Sequence, residues 1–143
     1  MINLCKLPTE IIKKIIPYTY NLQNKNLLDD IINYTETKTI LFDLYYKCWI
    51  IDRHGYNNED KEWLINDIYA YANDYNATMF GYIDKFYSIF YRNSRLQTTR
   101  QVDNYIRSLG KKKVIQQINI FLGLLTIQER KDIIIKFPIV NQI

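Results

Sequence analysis

Glycine, histidine and cysteine are scarce in this sequence, and each shortage removes a class of function. The four glycines, Gly55, Gly81, Gly110 and Gly123, stand too far apart to form a phosphate-cradling loop. The single histidine, His54, has neither a second histidine nor a spaced cysteine pair to complete a zinc site, and beside Gly55 a surface or helix-capping role is expected. Cys5 and Cys48 are the only cysteines, and no signal-peptide pattern precedes them, so a reducing compartment without a disulfide framework is expected. Long apolar runs are also missing. The longest uncharged stretch, Val114 to Gln128, is interrupted by Gln116, Gln117 and Asn119 and falls short of the roughly 18 residues of a membrane span, which predicts a soluble protein with no membrane partner. The acid pairs Asp29-Asp30 and Glu59-Asp60 sit at polar or helix-start positions, and neighbours on a helix diverge by about 100°, so both read as solvated rather than paired for acid–base work. No enzyme activity, metal or cofactor is expected.

What the chain does contain is helical patterning. No segment alternates with a period of two between turn residues, which argues against strands. Leu27, Leu28, Ile31 and Ile32 form one apolar ladder. A further helix capped by Thr35 or Thr37 carries Ile40, Leu41, Leu44, Tyr45 and Cys48, and ends around Arg53 to Gly55, with Gly55 suited to a left-handed position. Asn57 and Asn58 precede Glu59, Asp60 and Glu62, a cap followed by first-turn acids; the helix they open buries Leu64, Ile68, Tyr71, Ala72 and Tyr75 and leaves Trp63 off the apolar arc. Trp63 is then either a lid folded over the core or an interface anchor. Met79, Ile83, Phe86, Tyr87 and Phe90 give an aromatic ladder. Thr98 or Thr99 opens a helix with Val102, Tyr105, Ile106 and Leu109 inward and Gly110 as its stop. From Val114 the chain is apolar on two sides. Val114, Ile115, Ile118, Phe121, Leu122 and Leu125 lie on one face, and Ile120 and Leu124 form a second stripe, which places the helix at the centre of the bundle or in a homodimer contact. Thr126-Ile127-Gln128-Glu129 is a capping box for a last helix ended by Pro138, with a frayed tail from Ile139. The expected fold is all-α, a single domain over residues 1–143 built as one bundle of about six to eight helices. Thirteen tyrosines are many for this length, and their hydroxyls need partners or water when buried.

The opening of the chain adds a resemblance. Leu7-Pro8-Thr9-Glu10-Ile11-Ile12 places proline at a first helical position, where its missing N–H costs nothing, and Ile15-Ile16 continue the apolar arc until Pro17 stops it. With Tyr18 and the later Leu27-Leu28, this pattern resembles the first half of an F-box, and more specifically the F-box-like openings of proteins from large DNA viruses. Residues 1–55 would be the F-box-like start and 56–143 a helical remainder. Two features differ from the cellular pattern: Pro17 interrupts the first helix, and Trp49 follows the place of an F-box tryptophan. The skew toward Ile, Asn, Lys and Tyr is the coding bias of an AT-rich genome and is compatible with a viral source. The resemblance implies a non-enzymatic module, in host cytoplasm or virion, docking a protein partner such as a cullin-ligase adaptor. Its partner-binding candidates are Leu7, Pro8, Ile11, Ile12 and Ile15, with Trp63 from the later helix.

Charge supplies the alternative. Residues 1–91 carry a net −3, residues 92–113 a net +6 and residues 114–143 a net +1. Arg92, Arg95, Arg100, Arg107, Lys111, Lys112 and Lys113 hold the excess, on a link, a helix face and a helix start. A solvated face is the ordinary reading of such a run, and nucleic-acid binding is the specific one.

Overall fold

In a computed structural model, the backbone is described over residues 24–140 and the side chains over 25–137. The Leu7-Pro8 helix start, the ladder of Ile11, Ile12, Ile15 and Ile16, and the Pro17 stop lie outside the described residues.

The first element runs on where sequence punctuation suggests a break. Helix α1 spans Asn24–Tyr45 and passes directly into a π-helical stretch, Tyr46–Asp52. Neither Thr35 nor Thr37 caps a new helix. Instead the Thr35 hydroxyl donates to the Ile31 carbonyl at 3.1 Å and the Thr39 hydroxyl to the Thr35 carbonyl at 3.0 Å, the back-bonding that lets threonine sit inside a helix. After Asp52 the backbone turns at His54, which takes the left-handed conformation (φ 54°) expected of Gly55. Gly55 is required for a different reason: a Cβ there would lie 2.6 Å from the Trp49 carbonyl oxygen, to which the Gly55 N–H donates at 2.8 Å.

Helix α2 (Glu59–Ala72) starts where its first-turn acids predict, although Asn58 makes no side-chain cap bond. A 3-10 turn, Thr78–Phe80, leads to α3 (Asp84–Phe90), then come α4 (Thr99–Leu109), α5 (Val114–Leu124) and α6 (Ile127–Val140). The expected capping box at Thr126 forms, and Thr98, one of the two expected caps, proves to open a second box with Gln101. The Thr98 hydroxyl accepts from Gln101 N while Gln101 accepts from Thr98 N, and Thr126 and Glu129 reciprocate in the same way. Helix α6 continues through Pro138 rather than ending there.

The described residues contain these six α-helices and no strand, an all-α bundle. Helix α1 packs on α6 and α2, and α2 packs on α5. Buried residues from every helix join one cluster, with Leu64, Ile68, Phe86, Phe90, Phe121 and Leu122 at its heart. Phe121 meets Tyr69, Phe86 and Phe90 edge-on at centroid distances of 4.9, 6.0 and 5.1 Å. Ile120 and Leu124 pack against this core, so the second stripe of α5 is occupied by the bundle itself and gives no reason for a homodimer.

Several ladder members fall outside the core. Met79 is 83% exposed because it lies on the 3-10 turn ahead of α3, and Tyr75 lies past the end of α2 in a left-handed conformation, half exposed. Leu28, Ile31, Ile32 and Ile40 also remain exposed along α1, and Ile115, in the first turn of α5, is exposed as well.

Candidate interaction surfaces

The first surface surrounds Trp63. Its ring stacks on Trp49 at 4.4 Å and 7°, and the Arg53 guanidinium covers Trp49 at 4.2 Å. The π-helical stretch carries Trp49 and the Gly55 turn brings it back over α2. Trp63 nevertheless keeps 41% of its surface open, and the same turn exposes Ile51 and Tyr56. One side of Trp63 thus rests on the fold and the rest faces solvent. Cys48, on the same stretch, is half-buried and a free thiol.

The second surface is basic. Arg92 does not belong to it, because its guanidinium engages the Glu129 carboxylate through both Nη atoms, the second at 3.2 Å, and also donates to the Leu124 carbonyl at 3.0 Å. Burial pushes the Glu129 carboxyl up, but the hydrogen bonds from Arg92 and Thr126 and the Arg92 charge outweigh it and hold the group below its ordinary value. Arg92 is therefore a strut between the α3 end and the α6 start. The remaining candidates, Arg95, Arg100, Arg107, Lys111, Lys112 and Lys113, are all exposed, and among the described residues none has an ion-pair partner. Val102, Ile106 and Leu109 bury one side of α4, which turns Arg100 and Arg107 outward together, two helical turns apart.

The third feature has no signal in the sequence. A cleft of about 520 Å³ opens between α2, the α2–α3 connection and the α4–α5 corner, lined by Asn66, Tyr69, Tyr75, Thr78, Tyr82 and Gln117, with Ala70, Asn76, Ala77, Ile106 and Gly110. Its outer wall is tied down by Asn73, which is fully buried. The Asn73 side chain donates to the carbonyls of Asn76 (3.0 Å) and Gly81 (3.2 Å) and accepts from Ile83 N–H (2.9 Å), which holds the left-handed Asp74 and Tyr75 in place. Tyr69 is clamped at its ring by Phe86 and Phe121, and Tyr82 lies flat on Phe86 at 4.1 Å. Among the described residues, the hydroxyls of Tyr69, Tyr75 and Tyr82 and the carboxamide of Asn66 make no hydrogen bond within the protein. Burial pushes the Tyr69 hydroxyl up to about 12 and raises those of Tyr75 and Tyr82, so all three tyrosines are neutral near neutral pH.

Other tyrosines are partnered. Tyr45 donates to Asp67 at 2.6 Å, Tyr71 to Asp132 at 2.9 Å and Tyr87 to Asp103 at 2.9 Å, each joining two helices. The acid pairs expected to be solvated behave differently. Asp60 is buried beside Lys61, and Asp30 accepts from the buried Arg130. Among the described residues no group of three or more His, Cys, Asp or Glu is placed to hold a metal ion, and no helix is long and apolar enough to cross a membrane. The chain matches no protein-family model, no curated protein and no solved structure.

Proposed function

We propose that this chain is a non-enzymatic interaction protein, viral in origin, that docks a protein partner through its F-box-like start and through Trp63. The observation that carries the reading is the stacked Trp63 itself. An aromatic ring immobilised by Trp49 and still open to solvent loses little conformational freedom when a partner covers it, which is the property of residues that dominate binding energy. Leu7, Pro8, Ile11, Ile12 and Ile15 rest on the sequence resemblance alone. The test is a calorimetric titration of the full chain with a purified cullin-ligase adaptor. Binding is expected, is abolished by Leu7→Ala with Pro8→Asp, and is weakened by about thirtyfold in Trp63→Ala. An adaptor that gives no heat sinks the ubiquitin-ligase form of the reading.

A second reading, nucleic-acid binding, is favoured by six exposed cations that have no acidic partner among the described residues. Exposed Arg on one helix face and Lys on the following corner suit phosphates, and the affinity they give is independent of sequence. Fluorescence anisotropy with duplex DNA at two salt concentrations tests it. Replacing Arg100 and Arg107 by Ala is expected to reduce the log–log salt slope by about 0.9 for each phosphate that is no longer neutralised. Equal binding and equal slope in the double variant would leave the basic face as ordinary solvated surface.

A further inference from the structure

The uncharged cleft and the basic corner adjoin, and neither surface reading accounts for the cleft. Gly110 and Gln117 line it, which sets Lys111 to Lys113, on the chain between them, next to its edge, and the Gln117 side chain pins that loop by donating to the Lys112 carbonyl at 2.9 Å. We infer that this is a nucleotide site: the base lies within the tyrosine and carboxamide lining, and the phosphate rests on Lys111, Lys112 and Lys113. The phosphate half rests on the nucleic-acid reading of the basic segment; the base half stands on the cleft.

Three properties of the lining select this ligand class. The rings of Tyr69, on α2, and Tyr82, on the α2–α3 connection, offer flat apolar surface and are locked by Phe86 and Phe121, so contact with a planar ligand costs no ordering of those rings. The unpartnered hydroxyls of Tyr69 and Tyr82 donate and accept, and Asn66 does both through its carboxamide, which matches the mixed donor–acceptor edge of a base. Among the described residues none that lines the cleft is charged, so the neutral part of the ligand belongs inside and its charge belongs at the edge. The volume lies within the range of small-ligand pockets and suits one nucleotide rather than a duplex groove.

The ligand is either a free nucleotide or one residue of a single strand, and the experiment separates them. Adenosine monophosphate is followed by saturation-transfer NMR, and a short single-stranded oligodeoxyadenylate and a duplex of equal length by anisotropy, all with the full chain. The cleft variant is Asn66→Ala with Ala77→Phe, at two exposed positions, and its melting temperature checks the fold. The monophosphate is expected to bind and to compete with the strand. If the ligand is part of a strand, the single strand binds about tenfold more tightly than the duplex. The cleft variant removes monophosphate binding and any strand preference but leaves the duplex salt slope unchanged. Lys111→Ala, Lys112→Ala and Lys113→Ala together weaken the monophosphate more than adenosine. Monophosphate binding without strand preference supports the free-nucleotide form. Absence of monophosphate binding, or binding unchanged by the cleft variant, overturns the site even where the duplex still binds through Arg100 and Arg107. If the duplex fails to bind while the monophosphate still fills the cleft, the basic-face reading fails and the site stands.

Discussion

Arg130 and Asp30, one hundred residues apart in the chain, meet through Nη1 and Oδ1 at 2.8 Å. The Arg130 side chain is fully buried, and it also donates to the Leu122 carbonyl at 2.9 Å, the Asp30 carbonyl at 3.1 Å and Asn33 at 3.3 Å. One guanidinium thereby ties the start of α1 to the end of α5 and the start of α6. A buried charge is tolerated only with such saturation.

Truncation of Arg130 to Ala is expected to cost about 3 to 5 kcal/mol, because it removes the pair and leaves buried acceptors without donors. Asp30→Asn keeps an acceptor oxygen and costs less, about 1 to 3 kcal/mol. Urea denaturation measures both, and an Arg130→Ala cost under about 1 kcal/mol would show that water replaces the guanidinium freely.

Phe121→Ala removes the ring on which Tyr69, Phe86 and Phe90 converge, and a loss of about 3 to 5 kcal/mol is expected. The same loss loosens the inner wall of the cleft. Near-ultraviolet circular dichroism of the tyrosines falls with it, whereas an unchanged melting temperature contradicts the packing.

Gly55→Ala places a methyl group against the Trp49 carbonyl. The backbone must shift, at a cost of about 1 to 3 kcal/mol, and the Gly55 to Trp49 hydrogen bond lengthens or breaks. Because that turn presents Trp49 to Trp63, tryptophan fluorescence should change with stability. A change in stability without any spectral change would separate the turn from the stack.

Alkaline pH tests the tyrosine network. Burial first, then the hydrogen bond to Asp103, pushes the Tyr87 hydroxyl up to about 12, and burial alone does most of the same at Tyr69. Each folded value lies above the ordinary 10, so the folded state holds these protons more tightly than the unfolded one. Their contribution is complete below about pH 10 and is lost as pH rises toward 12. Stability should be flat across neutral pH and fall in that window, with phenolate absorbance appearing in two stages. Tyr87→Phe should make that fall less steep. A single phenolate transition near 10 that leaves the fold intact would contradict the burial.

Helices α4 and α5 are readable from sequence because their determinants are local. Thr98 and Gln101 satisfy each other within one turn, and Val102, Ile106 and Leu109 share a face by helical spacing alone. The α1 ladder reads as two helices because Thr35 and Thr37 resemble caps, and only a hydroxyl bonded back to Ile31 reveals that the helix continues. Helical spacing sets Trp63 apart from the apolar arc, but its stacking partner lies across the Gly55 turn, beyond any periodic signal. Arg92 looks like one more cation of the basic run until Glu129, thirty-seven residues later, takes it.

By itself the sequence determined the all-α class, the capping box from Thr126 to Glu129, the aromatic core around Phe86 and Phe121, and the outward pair Arg100 and Arg107. Each follows from contacts within a turn or two, where the chain's own geometry fixes which side chains meet. Tertiary structure decided which charges are spent and which are free, how Asn73 ties the α2–α3 connection, and that Tyr69 of α2 and Tyr82 of that connection share one cleft. Those outcomes depend on long-range burial: a polar group removed from water must find its partner wherever the fold supplies one, and sequence distance carries no record of where that is.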